Sequence, residues 1–245
     1  MKQTKLMVSV LCLALLASSC STIQNMNNTA KGGAVGGAGG VAIGAGIGAL
    51  AGKGKGALIG GLIGAAVGTG AGVLIGNRMD KAAKAAKQIE NAQTEVLQDA
   101  NGVKYVKVTF DSGLLFGTGS STLSETAKAD LQKFATTVLA QNTDMDVAII
   151  GHTDNQGWKG LSATASKTKN QELSLQRAQA VNSQLVNFLI SNNSSTSMLK
   201  SVTGQGEDAP VASNSTAAGR EQNRRVEIYL LASEAMVKSA NEQAK

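Results

Sequence analysis

The chain has 245 residues, a formal net charge of +6 and an aromatic content of only 3%, so it has room for one or two domains. Its lysines are scattered along the sequence, and this combination of charge and composition does not predict a nucleic-acid partner. One histidine and two cysteines are too few for a conventional metal centre, and no cofactor is expected.

Residues 1–19 have the pattern of a secretory signal peptide. Residues 1–5 contain two lysines, and residues 6–16 form an apolar run that is too short to span a membrane, as is typical of a signal sequence. Residues 16–20, Leu-Ala-Ser-Ser-Cys, resemble a bacterial lipobox. This resemblance implies that Cys20 becomes the first residue of the mature chain and carries acyl chains such as palmitate. The alternative is ordinary signal cleavage beside an incidental cysteine.

We interpret residues 20–31 as a lipidated linker. Ser21 and Thr22 follow Cys20 at a place where lipoproteins retained in the inner membrane favour Asp, so the segment resembles that of an outer-membrane lipoprotein. Each buried methylene of an acyl chain contributes about 0.8 kcal/mol to membrane binding. The expected partner of this end is therefore outer-membrane lipid, with the C-terminal domain facing the periplasm.

A glycine repeat occupies residues 32–78. Glycine stands at every fourth position from Gly32 to Gly76, mostly with Ala, Val, Ile and Leu between. Each glycine costs about 0.8–1 kcal/mol relative to alanine in a helix in water, whereas small residues at this spacing let helices pack closely in lipid. The pattern therefore predicts a glycine zipper.

Lys53 and Lys55 divide this repeat into arms at residues 35–51 and 57–75. At 1.5 Å per residue the arms reach about 25–28 Å, close to the thickness of a bilayer core. We predict a helical hairpin over residues 32–78 that contacts lipid and supports self-association, with Arg78 at the membrane face opposite the lysine tip. A flexible linker and a water-exposed oligomeric zipper are the alternatives.

The rest of the chain alternates between strand and helix patterns. Residues 79–103 predict an amphipathic linker helix, residues 104–232 a folded domain, and residues 233–245 a polar tail. Thr122 and Glu125 have the spacing of a capping box before a helix. Within the domain, strands are predicted at 103–110, 146–150, 201–203 and 226–231, and a second helix at 170–191. This order predicts an α+β fold, a βαβαββ sandwich with helices on one side of a mixed sheet.

Polar residues gather where these elements end. Thr153 and Asp154 follow an apolar run that predicts a buried strand, and strand ends commonly present binding groups. Asn170, Ser174 and Arg177 occur at i, i+4 and i+7 and therefore share one stripe of a helix. Arg224 and Arg225 lead into an alternating strand, which directs their side chains to opposite faces.

Five sequence words in this region resemble the OmpA-like C-terminal domain, which occurs in OmpA and in peptidoglycan-associated lipoproteins. They are Gly-His-Thr-Asp at 151–154, Asn-x-x-Leu-Ser-x-x-Arg-Ala-x-x-Val at 170–181, Gly-x-Gly-x-x-x-Pro at 204–210, Asn-Ser-Thr-x-x-Gly-Arg at 214–220 and Asn-Arg-Arg-Val-Glu-Ile at 223–228. The resemblance covers roughly residues 105–231.

This resemblance implies a site for the diaminopimelate residue of the peptidoglycan stem peptide, whose free end carries an ammonium and a carboxylate. Asp154 is expected to accept hydrogen bonds from the ammonium, and Arg177 to bind the carboxylate through two parallel donors. Thr153 and Asn170 are expected to add neutral hydrogen bonds, and Arg224 to close the pocket. The competing interpretation is a structural salt bridge between Asp154 and Arg177.

Two features depart from the family pattern. Residues 158–168 read as an inserted polar loop, whose Trp158 has the flat surface needed to stack on a sugar. Gly117 stands where the family more often has Asp or Asn. Arg225 and His152 are expected to serve the fold.

The sequence therefore predicts an outer-membrane lipoprotein that binds peptidoglycan non-covalently and tethers the outer membrane to the cell wall. No nucleophile–base pair is apparent, so it is not expected to be an enzyme. The alternative is a glycine-zipper protein that remodels or permeabilises membranes and is positioned by its wall-binding domain. The repeat has no Asp or Glu between Lys31 and Arg78, which argues against the flagellar stator B subunit, because that protein needs a membrane carboxylate.

Overall fold

A computed structural model describes residues 67, 69–99 and 102–244 of the chain. The predicted signal peptide, the lipidated linker with Cys20 and most of the glycine hairpin lie outside the described residues. The helices are α1 (Thr69–Ala86), α2 (Ser112–Leu115), α3 (Glu125–Phe134, continued by a π-helical turn over Ala135–Leu139), α4 (Ala163–Ser191), α5 (Ala217–Asn223) and α6 (Glu234–Gln243). The strands are β1 (Ala92–Gln98), β2 (Lys104–Asp111), β3 (Met145–Gly151), β4 (Leu199–Gly204) and β5 (Arg225–Ala232).

The five strands form one mixed sheet in the order β1-β2-β5-β3-β4. All neighbouring strands are antiparallel except β3 and β4. Every residue of the central strand β5 is buried, and Ile228 lies between Val108 and Ile149 of the flanking strands. The predicted α+β class with a mixed sheet is confirmed.

Two glycines let α4 cross closely over the sheet at the ends of β3 and β4. Gly151 and Gly204 are paired across these parallel strands. A Cβ atom on Gly151 would overlap the carbonyl oxygen of Ser174, and one on Gly204 would overlap the backbone nitrogen of Leu175. Because only glycine permits this approach, the polar stripe of α4 comes down beside the residues that follow β3.

The predicted linker helix over residues 79–103 is wrong in its second half. Helix α1 ends at Ala86, and residues 92–98 form β1, which pairs along its whole length with β2. Ile89 is buried in the connection between α1 and β1. The open edge of β2 offers backbone partners to β1, and this tertiary pairing outweighs the helical pattern predicted for residues 79–103.

The predicted boundary at residue 78 also falls inside a helix. Helix α1 begins within the glycine repeat, and its Ala71, Ile75 and Met79 side chains are fully buried where the helix packs on β1, β2 and α6. Arg78 makes an ion pair with Asp144 of the domain, which corrects its predicted place at a membrane face. No helix among the described residues combines the length and apolarity needed to cross a bilayer.

The predicted polar tail is instead helix α6. Met236, Val237 and Ala240 form a buried stripe that packs on α1, and the Ser233 hydroxyl caps the helix by accepting from the Met236 amide. A Cβ on Gly70 would lie 2.9 Å from the Ala244 Cβ, so α1 and the end of α6 are in close contact. The apolar stripe of α6 is therefore covered by α1, a contact between distant segments of the chain.

The starts of α3 and α4 also differ from the predictions. Ser124, and not Thr122, caps α3, because the Ser124 hydroxyl accepts a hydrogen bond from the Ala127 amide. The predicted loop at 158–168 is shorter than expected, because the Ser162 hydroxyl accepts from the Ala165 amide and starts α4 seven residues before Asn170. Both caps are serines in extended backbone conformation, the usual geometry of an N-cap.

Candidate functional site

All five residues predicted to bind the ligand line one pocket of about 460 Å³. It lies where the end of β3, the start of β5, helix α2 and the polar stripe of α4 meet. The five are Thr153, Asp154, Asn170, Arg177 and Arg224. Their role in binding stays a prediction, but the fold brings together residues that are up to 71 positions apart in sequence.

Asp154 is held by two donors on the protein itself. Its Oδ2 accepts from Nη1 of Arg224 at 2.6 Å, and its Oδ1 accepts from the Gln156 amide at 3.0 Å. The Asp154 side chain is 9% exposed and that of Arg224 is 38% exposed. Each carboxylate oxygen has a second lone pair, so Asp154 can still accept from a ligand, although Arg224 already balances its charge.

Arg177 has no acidic partner among the described residues. Its Nε donates to the Ser120 carbonyl at 3.0 Å, and its guanidinium carbon lies 5.2 Å from the centre of the Phe116 ring. Burial, followed by the positive charge of Arg224, lowers the pKa of Arg177, but a guanidinium stays charged at neutral pH. The competing interpretation, a salt bridge between Asp154 and Arg177, does not occur in the described part of the chain.

Asn170 uses its side-chain amide to hold the wall of the pocket. Its Oδ1 accepts from the Trp158 indole at 2.8 Å, and its Nδ2 donates to the Gln156 carbonyl at 3.1 Å and to Glu207 at 2.9 Å. A ligand bond to Asn170, as predicted, would have to replace or share one of these contacts. Through these contacts Asn170 positions the loop after β3.

Two buried hydroxyls in the pocket have no hydrogen-bond partner among the described residues. They are Oγ1 of Thr153, which was predicted to bind, and Oγ of Ser112, which was not. Ser112 follows β2 directly and is the first residue of α2. Only the strand register, which is invisible in a single sequence, places it in the site.

Trp158 forms one side of the pocket. Its backbone amide donates to the Ser166 hydroxyl at 3.0 Å, and Nζ of Lys169 lies 4.2 Å from the centre of the indole ring. A Cβ on Gly119 would lie 3.4 Å from the ring, so the indole packs against the loop that contains Gly117. Part of the ring surface considered for sugar stacking is therefore covered by Lys169 and Gly119.

Arg225 and His152, expected to serve the fold, lie outside this pocket and are buried. Arg225 donates to Glu227 at 2.8 Å and to the carbonyls of Asn223 and Ala209 at 3.1 Å each, and Tyr229 donates to Glu227 at 2.6 Å. A second pocket, of about 570 Å³, borders Arg225 and Glu227.

The groups of this buried cluster change the pKa values of their neighbours. Burial on its own raises the pKa of Glu227, but the charge and hydrogen bond of Arg225 and the hydrogen bond of Tyr229 lower it below its ordinary value. Burial lowers the pKa of His152, so its imidazole is neutral. His152 Nε2 lies 3.4 Å from Glu227, but neither ring nitrogen has a well-oriented partner among the described residues.

The comparison with family models divides the chain into two regions. Residues 115–224 match the model described as the OmpA family, and residues 1–80 match the YMGG-like Gly-zipper. Residues 115–224 are an OmpA family domain. The region contains four of the five sequence words in full and all five predicted site residues. The N-terminal match includes the glycine repeat as far as α1.

Similar proteins include bacterial envelope and motility proteins. The chain is 31% identical over 160 residues to Motility protein B of Bacillus subtilis, 36% over 119 residues to Outer-membrane lipoprotein YfiB of Pseudomonas aeruginosa, and 38% over 123 residues to Probable lipoprotein YiaD of Escherichia coli. These alignments cover 64, 49 and 50% of this chain. They span 55, 62 and 47% of the relatives, so only about half of each relative is matched.

A solved structure supports the same fold. The putative MotB like protein from Desulfovibrio vulgaris superimposes with a TM-score of 0.50 at 23% identity, covering 72% of this chain and 96% of that one. At this identity the likeness concerns the fold alone. The superposition covers more of this chain than the OmpA family match does, because that match spans only 110 residues.

Proposed function

We propose that this protein is an outer-membrane lipoprotein whose OmpA family domain binds peptidoglycan without covalent chemistry. The observation that carries the proposal is the 460 Å³ pocket, in which Asp154, Arg177 and Arg224 converge from three separate elements. Two of the relatives are named as lipoproteins, and the chain begins with a signal-like segment that ends at Cys20.

The chemistry of the pocket fits the free end of diaminopimelate. Arg177 presents unpaired donors to a carboxylate, and Asp154 retains lone pairs for an ammonium. Hydrogen bonds to charged groups contribute about 1.5–3 kcal/mol each, so a few of them give an affinity between about micromolar and millimolar once the cost of association is subtracted. Many lipid-anchored copies facing one continuous polymer then gain from avidity.

In this proposal Cys20 and the zipper hold one end of the protein at the outer membrane while the domain holds the wall. The protein is an anchor, and not a motor, because the glycine repeat lacks the membrane carboxylate that a proton-driven stator requires. Similarity to Motility protein B covers 55% of that protein and is accounted for by a shared wall-binding module.

Co-sedimentation of the full-length protein in detergent with purified sacculi tests this proposal. Arg177→Ala and Asp154→Ala should each reduce the retained fraction strongly. Lys200→Ala is the matched control, because it removes one exposed positive charge from β4 outside the pocket and should be retained like the wild type. Equal retention of all four proteins would reject the site.

The glycine zipper supports a second candidate, membrane remodelling or permeabilisation by an oligomer. The specific observation is the match of residues 1–80 to the YMGG-like Gly-zipper. Leucine substitutions at Gly44, Gly48, Gly60 and Gly64 should then abolish dye release from liposomes while sacculus binding is unchanged. If dye release occurs equally with and without these substitutions, the zipper is not responsible for it.

A further inference from the structure

Three residues form a cross-strand row at the pocket end of the sheet. Asp111 is opposite Arg225 and Gly151 is opposite Val226, and the next residues along each strand continue this register. The Ser112 amide donates to the Arg224 carbonyl at 2.9 Å, and the His152 amide donates to the Arg225 carbonyl at 2.9 Å. If this register is continued by one residue in β2 and by two in β3, Ser112 and Thr153 fall on either side of Arg224.

The three residues of this row lie just beyond the paired strands, because β2 ends at Asp111, β3 ends at Gly151 and β5 begins at Arg225. All three line the pocket. The floor of the site is thus a guanidinium with one hydroxyl on each side.

Both hydroxyls are buried without partners. Ser112 is 1% exposed and Thr153 is 5% exposed, yet neither hydroxyl has a partner within the described residues. The neighbouring buried Ser174 shows the usual arrangement, because its hydroxyl donates to the Gln171 carbonyl and accepts from the Gly206 amide. A buried unpaired hydroxyl destabilises the protein that contains it, and a ligand in the pocket would provide the missing partner.

The charges around the row indicate which group of a ligand it receives. Asp154 is already balanced by Arg224 at 2.6 Å, whereas Arg177 has no carboxylate partner in the described part of the chain. Gly117 also lines the pocket and adds no side chain to it. The residues that line the pocket therefore include two guanidinium groups and one carboxylate, an excess of positive charge.

We propose that Ser112 and Thr153 are ligand-binding residues whose hydroxyls donate to a carboxylate of the ligand beside Arg177. The pocket then selects a free carboxylate, and the ammonium contributes less. This inference rests on the proposed function, because it concerns the same pocket, and it adds Ser112 to the binding residues. It also assigns the terminal carboxylate of the stem-peptide residue as the group that contributes most to binding.

Titration of the full-length protein with three small probes tests this inference. The probes are meso-diaminopimelate, pimelate, which keeps both carboxylates without the ammonium groups, and 1,5-diaminopentane, which keeps only the ammonium groups. Trp158 is the single tryptophan and lines the pocket, so its fluorescence reports binding. We expect diaminopimelate and pimelate to bind and diaminopentane to give no saturable signal at the same ionic strength.

Variants of the two hydroxyls give the second arm of the test. Ser112→Ala and Thr153→Val should each weaken diaminopimelate and pimelate binding by roughly ten-fold to a hundred-fold, the range for a hydrogen bond to a charged group. Ser112→Cys, which keeps the size and a weak donor, should fall between Ser112→Ala and the wild type. Thr94→Val is the matched control, because the Thr94 hydroxyl is also buried and unpaired in the described residues but lies on β1 and should not affect binding.

Thermal unfolding without ligand shows that these variants are folded. Removal of an unpaired buried hydroxyl should leave the melting temperature unchanged or raise it, so a loss of affinity would not reflect unfolding. If Ser112→Ala and Thr153→Val bind like the wild type while Arg177→Ala does not, this inference is overturned and the proposed function stands. If the wild type binds neither the probes nor sacculi, the proposed function itself fails.

Discussion

Arg224 and Arg225 are consecutive in the chain but lie in opposite environments. Arg225 is 5% exposed, and its guanidinium makes three hydrogen bonds within the protein. Arg224 makes one ion pair with Asp154, and its side chain is 38% exposed at the edge of the pocket. Arg224 lies just before β5 and Arg225 is its first residue, so the alternation of the extended backbone directs their side chains to opposite faces.

The difference between the two regions concerns hydrogen-bonding capacity. In the buried cluster of Arg225, Glu227 and Tyr229, the charged groups are paired with one another. In the pocket, the hydroxyls of Ser112 and Thr153 and the terminal nitrogens of Arg177 have no partner among the described residues. The cluster around Glu227 is closed except for the ring nitrogens of His152, whereas the unpartnered donors of the pocket belong to residues that line a space for a ligand.

The largest effect is expected from Arg225→Ala. The substitution leaves Glu227 as a buried carboxylate without its main partner, so the free energy of unfolding should fall by about 3–5 kcal/mol. Urea denaturation followed by circular dichroism measures this loss. A loss below about 1 kcal/mol would show that the cluster does not stabilise the fold as its contacts indicate.

Asn170→Ala should have an intermediate effect on both stability and binding. It removes the partner of the Trp158 indole, the Gln156 carbonyl and Glu207, which should cost about 1–3 kcal/mol of stability and loosen the loop after β3. Denaturation and sacculus co-sedimentation measure the two effects. Asn170→Asp should be more harmful still, because it places a second carboxylate against Glu207; if Asp is tolerated better than Ala, the contact with Glu207 is misassigned.

Compared with Arg225→Ala and Asn170→Ala, Arg224→Gln should lower the free energy of unfolding least. It should still weaken binding. An ion pair with one half-exposed partner contributes roughly 0–1 kcal/mol to stability. Binding should fall because Asp154 loses the donor that orients it and the pocket loses a charge. A stability loss as large as that of Arg225→Ala would contradict the distinction between the two arginines.

The smallest effect is expected from pH. The pKa of His152 is lowered in the folded protein. In the unfolded chain the same side chain takes up a proton near pH 6.5, so the unfolded chain binds this proton more readily than the folded chain does. Stability is therefore fully present above about pH 6.5 and falls as the pH drops through the lower folded value. The lowered pKa of Glu227 acts separately, at pH values below about 4.5.

Denaturation at pH 7.5 and pH 5.5 measures the contribution of His152. It is the only histidine, so His152→Gln should remove most of the stability difference between these two values. If the variant keeps the full pH dependence, another group is responsible.

Much of the domain could be predicted from residue patterns. The apolar runs and alternation identified β2, β3, β4 and β5, and helical spacing brought Asn170 and Arg177 to one side of α4. The resemblance to family motifs named five residues that share one pocket. The opposite directions of Arg224 and Arg225 followed from strand alternation and are confirmed by the contacts of each side chain.

The remaining features depend on contacts between distant segments. β1 forms because β2 has an open edge, and α6 folds onto α1, which itself continues from the glycine repeat. Neither partner is visible from a local pattern. Likewise, Ser112 enters the pocket through its register against Arg224, and the partner of Asp154 is Arg224, 70 residues away.

The central claim is that the pocket binds the free end of diaminopimelate. A comparison of sacculi that contain diaminopimelate with sacculi that contain lysine in the stem peptide tests this claim most directly. Lysine in the stem peptide offers an ammonium but no terminal carboxylate, so Arg177 would have no anionic partner. Full-length protein should co-sediment with sacculi that contain diaminopimelate, be released by free meso-diaminopimelate, and remain in solution with lysine-containing sacculi. Equal retention on both walls, unaffected by meso-diaminopimelate, would contradict the account.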